Sequence, residues 1–183
     1  GIRDYKVTGV QTCALPILIE MTEDIDPATG LVLPPDGRQS KTALMIARGT
    51  RRLLSQMGLV SVTELSLASN RRADLVALGD DGTLWIIEIK SSIEDFRVDR
   101  KWPEYRDYCD YFFFAISDSI PQSLIPENTG LILADTYGAA IIRDAPEHRL
   151  AAARRKAMLV RLARATAIRL HRLSDPDFKI DCL

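Results

Sequence analysis

Apolar residues recur along the chain in two patterns, which predict strands and helices from residue 40 onwards. Short runs rich in Val, Ile, Leu, Phe and Trp, bounded by turn-forming residues, predict strands. They cover residues 60–67, 72–78, 84–90, 111–116, 130–134 and 139–143. Longer stretches with helical spacing lie at residues 40–57, 93–108 and about 147–173. Pro103 should kink or reset the second of these helices.

The order of these elements indicates one α/β domain. A helix and three strands come first, a helix and a strand follow, and two strands and a long helix close the chain. This order predicts a mixed sheet flanked by helices, in a single domain over residues 39–175. The 183 residues are enough for one substantial core but cramped for two.

The two ends of the chain are expected to lie outside this domain. Residues 7–17 match a translated sequencing adaptor, so residues 1–20 are expected to be an artefact, with a native start at Met21 or a little later. Residues 21–38 are acidic and rich in turn-forming residues, which predicts a loose arm. Residues 176–183 are expected to form a tail.

The loop between the second and third strands decides whether two carboxylates meet. A three-residue loop of residues 80–82, with Gly82 in the left-handed conformation, places Asp74 directly opposite Glu88. Lys90 then lies on the same face, because strand side chains repeat every two residues. A two-residue loop would instead place the carboxylates on opposite faces. The sequence permits both registers.

Two facing carboxylates and a lysine would suit a hard divalent cation. Carboxylates about 5 Å apart repel each other unless a cation lies between them or one is protonated. Bound Mg²⁺ or Mn²⁺ polarises a phosphoryl oxygen and lowers the pKa of a coordinated water, which Lys90 could orient. A Glu-X-Lys triplet is usually an ordinary surface pair, but this one lies in an apolar run, where unpaired charge is costly. Glu64 is a candidate third carboxylate, although an exposed strand residue is the simpler interpretation.

Two basic regions are candidates for contact with DNA phosphates. Arg97, Arg100 and Lys101 closely follow the Glu-X-Lys triplet, and Tyr105 shares a helical face with Lys101. Interleaved aspartates make pairing within the helix an equal alternative for Arg97 and Arg100.

The closing helix is the second basic region. It has no acidic residue from 150 to 173, and five arginines gather within about 140° of arc: Arg154, Arg161, Arg164, Arg169 and Arg172. Such a stripe could bind phosphates with a salt-dependent affinity. A solvated face that pairs with acidic loops of the same protein is an equal alternative.

Composition and charge narrow the function classes. The net charge of −1 means that any nucleic-acid surface must be local. The scattered Cys13, Cys109 and Cys182 form no CxxC pair, which argues against a zinc ribbon and a disulfide scaffold. The two histidines supply histidine-based metal sites poorly. No apolar run approaches the roughly 20 residues of a membrane span, so a cytoplasmic protein is expected.

The block from Asp74 to Tyr105 is specific enough to indicate a family. The chain resembles bacterial DNA-repair proteins of the MmcB type, within the PD-(D/E)XK nuclease superfamily, over about residues 32–175. The residues that carry the likeness are 71–78, 85–92, 94–105 and 146–150. Ala73 stands where the superfamily name has proline, a position where proline is often absent.

The resemblance implies a fold and roles for individual residues. The fold would be a restriction-endonuclease-like αβββαβ core with a mixed sheet and a long C-terminal helix. Asp74 and Glu88 would bind the metal together with the Ile89 backbone carbonyl, and Lys90 would support catalysis.

These observations predict a Mg²⁺-dependent DNA endonuclease that acts in DNA repair, with DNA and other repair proteins as partners. One alternative is a DNA-structure-binding module that keeps the fold but cuts little. Another is an adaptor whose arginine-rich helix docks a repair protein. Metal-dependent nicking separates the first hypothesis from both others, and a salt-dependent DNA affinity separates the second from the third.

Overall fold

A mixed sheet of six strands forms the centre of the computed structural model, which describes residues 40–99, 101–175 and 177. The strands lie in chain order across the sheet: β1 (Val60–Ser66), β2 (Arg72–Leu78), β3 (Leu84–Lys90), β4 (Tyr111–Ile116), β5 (Gly130–Ala134) and β6 (Ala139–Arg143). The pairs β1–β2, β2–β3 and β5–β6 are antiparallel, and β3–β4 and β4–β5 are parallel. All six strands agree with the predicted ones to within a residue.

One helix covers the first face of the sheet. In α1 (Lys41–Gln56), the hydroxyl of Ser40 accepts a hydrogen bond from the Ala43 N–H at 3.1 Å, as expected of a helix cap. Gly58 follows the helix with φ +79°, a conformation that glycine adopts without strain. The inner side of α1 packs against the residues of β2, β3 and β4 that point towards it, among them Ile87 and Phe113.

The second face carries the larger part of the core. It is covered by α2 (Ile93–Val98), a 3-10 helix (Trp102–Tyr108) and α3 (Ala152–Ser174). Phe112 and Phe114 of β4 point to this side and pack edge to face, with ring centroids 5.1 Å apart. The aromatic run of β4 therefore belongs to the core, as its strand pattern suggests. None of the helices in the described part of the chain is long and apolar enough to span a bilayer.

The second predicted helix is divided into two helical elements. The sequence predicts a helix over 93–108 that Pro103 kinks or resets, and the structure shows a reset: α2 ends at Val98, and Asp99 has an extended backbone. Pro103 lies in the first turn of the 3-10 helix, where its missing N–H costs nothing. The break therefore comes one turn earlier than proline alone would place it.

The closing helix also begins later than expected, because a buried aspartate holds the chain before it. The backbone N–H of Leu150 donates to the Asp110 carboxylate at 3.0 Å, and the N–H of His148 donates to the Asp110 carbonyl at 2.7 Å. These bonds hold residues 148–150 outside the helix, so α3 begins at Ala152 and not near residue 147. Predicted features at residues 1–38, at Arg100 and in most of the tail lie outside the described residues.

Asp110 joins three distant parts of the chain. Its carboxylate, in a residue only 3% exposed, also accepts from the Leu84 N–H at 2.8 Å and from both terminal nitrogens of Arg155 at 2.7 Å. Burial alone would raise the pKa of Asp110, but the Arg155 hydrogen bonds and the two backbone donors outweigh it and hold the pKa below its usual value. Arg155 also donates to the Gly82 carbonyl at 2.7 Å, which ties α3 to the β2–β3 loop.

We expect Asp110→Asn to lower the free energy of unfolding by about 2 kcal/mol at pH 7, because charge-assisted hydrogen bonds are lost in a buried place. The depressed pKa contributes stability above the unfolded-state pKa that is lost as pH falls through the folded-state value. The difference from wild type should therefore shrink below about pH 4. Urea unfolding monitored by circular dichroism measures both effects.

Asp107→Asn is the matched control. Asp107 pairs with Arg154, the neighbour of Arg155 on α3, but both side chains are more than half exposed. This substitution should cost far less stability than Asp110→Asn. Equal losses in the two variants would show that Asp110 does not anchor the helix.

Candidate active site at the carboxyl end of β3

The β2–β3 hairpin has the register that brings two carboxylates together. Gly82 adopts φ +83°, and the Gly79 N–H donates to the Thr83 carbonyl at 2.9 Å, which closes a three-residue loop. The ladder pairs Leu75 with Ile87 and continues to the loop without a shift. One further step along the same register places Asp74 opposite Glu88. The predicted register is confirmed, and the two-residue loop is excluded.

Asp74 lies at the start of this row with one oxygen already engaged. Its Oδ2 accepts a hydrogen bond from the Ile89 backbone N–H at 2.8 Å. Burial raises the pKa of the Asp74 carboxyl, and this outweighs the Ile89 hydrogen bond and the attraction of Lys90 and Arg72. Ionised Asp74 is therefore held in place but incompletely compensated by the protein.

Glu88 carries the clearest sign of a missing partner. The residue is 7% exposed, and its Oε1 lies 3.5 Å from Lys90 Nζ. Its Oε2 is buried and has no hydrogen-bond partner among the described residues. Burial and then the negative charge of Asp74 raise the pKa of Glu88 to about 8. An acceptor oxygen buried without a partner is costly and points to a ligand that the protein alone does not supply.

Lys90 is fixed by a carboxylate that the sequence did not reveal. Its Nζ lies 2.5 Å from Asp99 Oδ2, and the residue is 5% exposed. Burial lowers the pKa of Lys90, but the attraction of Glu88 and the Asp99 hydrogen bond outweigh it, so the pKa is raised. Lys90 is therefore a charged ammonium at neutral pH. We had expected Asp99 to favour pairs within its own helix, whereas it lies just past the end of α2 and faces β3.

The oxygen ligands at this site are the fewest that would hold an ion such as Mg²⁺. Asp74 and Glu88 supply carboxylates, and Mg²⁺ is commonly bound by one or two of these while it keeps several waters. The Ile89 N–H points to β2, and a strand residue directs its N–H and C=O to the same side, so the Ile89 carbonyl faces the same edge. Within the described residues, no group of three His, Cys, Asp or Glu side chains is close enough to hold an ion.

Glu64, the candidate third carboxylate, lies beside the pair without completing it. The ladder pairs on either side place Glu64 opposite Asp74, so three carboxylates stand in a row across β1, β2 and β3. Glu64 has φ +48°, an uncommon conformation for a residue with a side chain. Its carboxylate pairs with the guanidinium of Arg72 at 3.4 Å. Its charge still acts to raise the pKa of Asp74, after larger effects from burial and other neighbours.

The basic residues expected near the triplet divide into two groups. Arg97 and Lys101 are exposed, and the Lys101 backbone N–H donates to Asp99 at 2.9 Å, which brings this segment close to Lys90. The prediction that Tyr105 contacts DNA is wrong, because the residue is 6% exposed and its hydroxyl donates to the Arg72 carbonyl at 3.1 Å. Its ring stacks on Phe112 in the core, so it is not available to DNA.

The arginines of α3 also have different environments. Arg154 pairs with Asp107, and Arg161 donates to the Ser66 carbonyl at 3.2 Å. Arg169 donates to the carbonyls of Thr63 at 2.6 Å and Glu64 at 3.0 Å. Arg164 lies exposed between them on the helix. Part of the stripe therefore fastens α3 to β1, a use that its helical spacing did not predict.

Comparison with known proteins places this geometry in a family. A family model described as "DNA repair protein MmcB-like" matches residues 32–177. A solved structure of a protein of unknown function from Silicibacter pomeroyi is 41% identical, with a TM-score of 0.74, and the match covers 79% of this chain and 99% of that one. The structure of Pyrococcus furiosus SfsA in complex with Ca²⁺ matches at 10% identity and a TM-score of 0.30, over 57% of this chain and 61% of that one, too low to establish a shared fold. No curated protein matches.

In the metal-free protein, Glu88→Gln should become progressively more stable relative to wild type as pH rises from 5 to 9. The folded-state pKa of Glu88 is about 8, above its ordinary value of 4.5. Wild type therefore loses stability as pH rises from the unfolded-state pKa to the folded-state pKa, whereas Glu88→Gln has no carboxyl to ionise. Melting temperatures at each pH in EDTA give the measurement. Glu94→Gln makes the same change at an exposed position of α2 and is the matched control. A constant difference between Glu88→Gln and wild type would contradict the burial of an uncompensated charge.

Proposed function

We propose, from the premise that this chain belongs to the MmcB-like family of DNA repair proteins, that it hydrolyses DNA phosphodiester bonds with a divalent metal ion. The site would be of the PD-(D/E)XK type and consist of Asp74, Glu88 and Lys90. The observation that supports this most is the buried Glu88 oxygen without a partner, next to a second buried carboxylate.

Asp74, Glu88 and the Ile89 carbonyl would hold Mg²⁺ or Mn²⁺. When bound, the ion supplies Lewis-acid polarisation of a phosphoryl oxygen and a lowered pKa for a coordinated water. The protein orients its first ligand beforehand, because the Ile89 N–H fixes one oxygen of Asp74. Burial and the charge of Asp74 raise the pKa of Glu88 to about 8 without metal, so binding an ion should release a proton from Glu88 near neutral pH.

Lys90 would act as a fixed positive charge and not as a base. Its raised pKa keeps the ammonium protonated at neutral pH, so it has no lone pair with which to accept a proton. It can donate hydrogen bonds to an attacking water or to the charge that develops on the phosphate. Asp99 restricts where that ammonium can lie and so acts as a positioning residue.

The exposed Arg97 and Lys101 would bind the DNA backbone beside the site. Both lie in the segment from α2 to the 3-10 helix, which is linked to Lys90 through Asp99. Phosphate contacts of this kind position a duplex without reading its sequence. Arg100, between them in the chain, lies outside the described residues.

Metal binding should be visible without catalysis. Mg²⁺ or Mn²⁺ should stabilise wild type, by about 1.4 kcal/mol at a concentration ten times the dissociation constant. Glu88→Gln and Asp74→Asn should lose this stabilisation, because each removes a charged ligand. Thermal melts over a metal titration measure it, with Glu94→Gln as a control that keeps the response. An equal response in Glu88→Gln and wild type would place the ion elsewhere.

Cleavage separates the nuclease from a binding module or adaptor. We expect wild type to nick branched or damaged DNA with Mg²⁺ or Mn²⁺ and to be inactive in EDTA. Asp74→Ala, Glu88→Ala and Lys90→Ala should each lower the rate about a hundredfold or more, while their circular dichroism spectra stay native. The measurement is a gel assay over junctions, flaps, nicked and abasic duplexes. Metal-stabilised protein that binds these DNAs but cuts none would favour the DNA-structure-binding alternative.

A further inference from the structure

A groove of about 450 Å³ runs between α3 and the edge strand β1. Its walls come from the end of β1 and from the middle of α3, and among the residues that line it are Leu65, Ser66, Arg161, Arg164, Ile168 and Arg169. Its volume lies in the range of sites that hold small organic ligands. Neither the metal ligands nor Lys90 line it.

The groove opens beside the carboxylate row. Glu64 lines the groove and stands opposite Asp74 across the β1–β2 ladder. The α3 side of the sheet is also the face on which Asp74, Glu88 and Lys90 lie. A chain that leaves the groove at Glu64 therefore reaches the carboxylate pair within the width of two strands, about 10 Å.

Charge in the groove favours an anionic chain. Three arginines and one glutamate line it, and that glutamate, Glu64, is paired with Arg72. Arg161 and Arg169 donate to backbone carbonyls of β1, which sets the distance between helix and strand. Arg164 lies exposed at the groove, and α3 contains no acidic residue to compete for it. The spacing is therefore fixed by two arginines, and the third is presented to a ligand.

The apolar floor distinguishes between forms of DNA. Ile168, which is partly exposed, and the half-exposed Val160 lie among the arginines and form this floor, while Leu65 beneath them belongs to the core. A duplex keeps its bases stacked inside and presents phosphates at its surface, so it has nothing to place on such a floor. A single strand exposes the faces of its bases, which pack on apolar surfaces while its phosphates bind cations.

We propose that this groove binds a single-stranded DNA segment and leads it to the Asp74–Glu88 site. The substrate class would then be DNA with an unpaired strand, such as a flap or an overhang. The substrate class rests on the proposed function, whereas binding of the strand in the groove requires no metal and is tested separately.

The test is fluorescence anisotropy with the full chain in EDTA, where nothing is cut. The probes are a labelled 12-nucleotide DNA, a blunt duplex of the same sequence, and that duplex with a single-stranded overhang. We expect tighter binding of the single strand and of the overhang than of the blunt duplex. Arg164→Glu should weaken single-strand binding about tenfold and flatten the slope of log affinity against log salt by about 0.7 for each lost phosphate contact.

Two further variants separate the groove from general charge. Lys156→Glu makes the same kind of charge reversal on α3 but lies outside the groove, so it should weaken binding much less. Ile168→Gln removes apolar floor without changing charge and should weaken single-strand binding a few-fold, with the salt slope unchanged. Native circular dichroism spectra for all three establish that they fold.

Three outcomes would overturn the proposal. They are equal or tighter binding of the blunt duplex, equal losses in Arg164→Glu and Lys156→Glu, and tighter binding of an RNA of the same sequence. Single-strand binding without metal-dependent cutting would instead refute the proposed nuclease activity but not the proposal that the groove binds single-stranded DNA. Metal-dependent cutting of blunt duplex that Arg164→Glu does not change would refute the groove and leave the nuclease.

Discussion

The register between β2 and β3 is the constraint on which the candidate site depends. Strand side chains alternate between faces, so a slip of one residue would send Asp74 and Glu88 to opposite sides of the sheet. The left-handed Gly82 permits the three-residue loop that sets this register. Arg155 then fastens the loop from outside, through its bond to the Gly82 carbonyl. A turn and a helix anchor thus fix the position of two carboxylates more than 15 Å away along the strands.

Negative charge at the candidate site is only partly compensated in the metal-free protein. Two buried carboxylates face one ammonium that is also shared with Asp99, and one oxygen of Glu88 has no partner among the described residues. Such an arrangement lowers stability, and proteins accept this cost where function requires it. The opposite case is Asp110, where an equally buried carboxylate is fully hydrogen-bonded and its pKa is held low. Satisfied charge marks the structural anchor, and unsatisfied charge marks the candidate site.

The arginines of α3 lie in two kinds of environment, bonded to the rest of the protein or exposed. Arg155 donates a hydrogen bond to the hairpin loop, and Arg169 donates one to the backbone carbonyl of Glu64. Arg164 remains exposed beside an apolar floor. Arg161 and Arg169 fasten α3 to β1, and Arg164 is the arginine for which contact with DNA is proposed.

The sequence by itself determined every strand to within a residue, because apolar alternation and turn-forming residues act through neighbouring residues. It left two hairpin registers open, and the left-handed conformation of Gly82 selects the one in which Asp74, Glu88 and Lys90 share a face. Only the tertiary structure decided that Asp99 holds Lys90, that Tyr105 is buried and that α3 begins at Ala152. Those outcomes depend on contacts between residues that are brought together by packing, such as Asp110 with Leu150, and the local pattern of polar and apolar residues carries no signal for them.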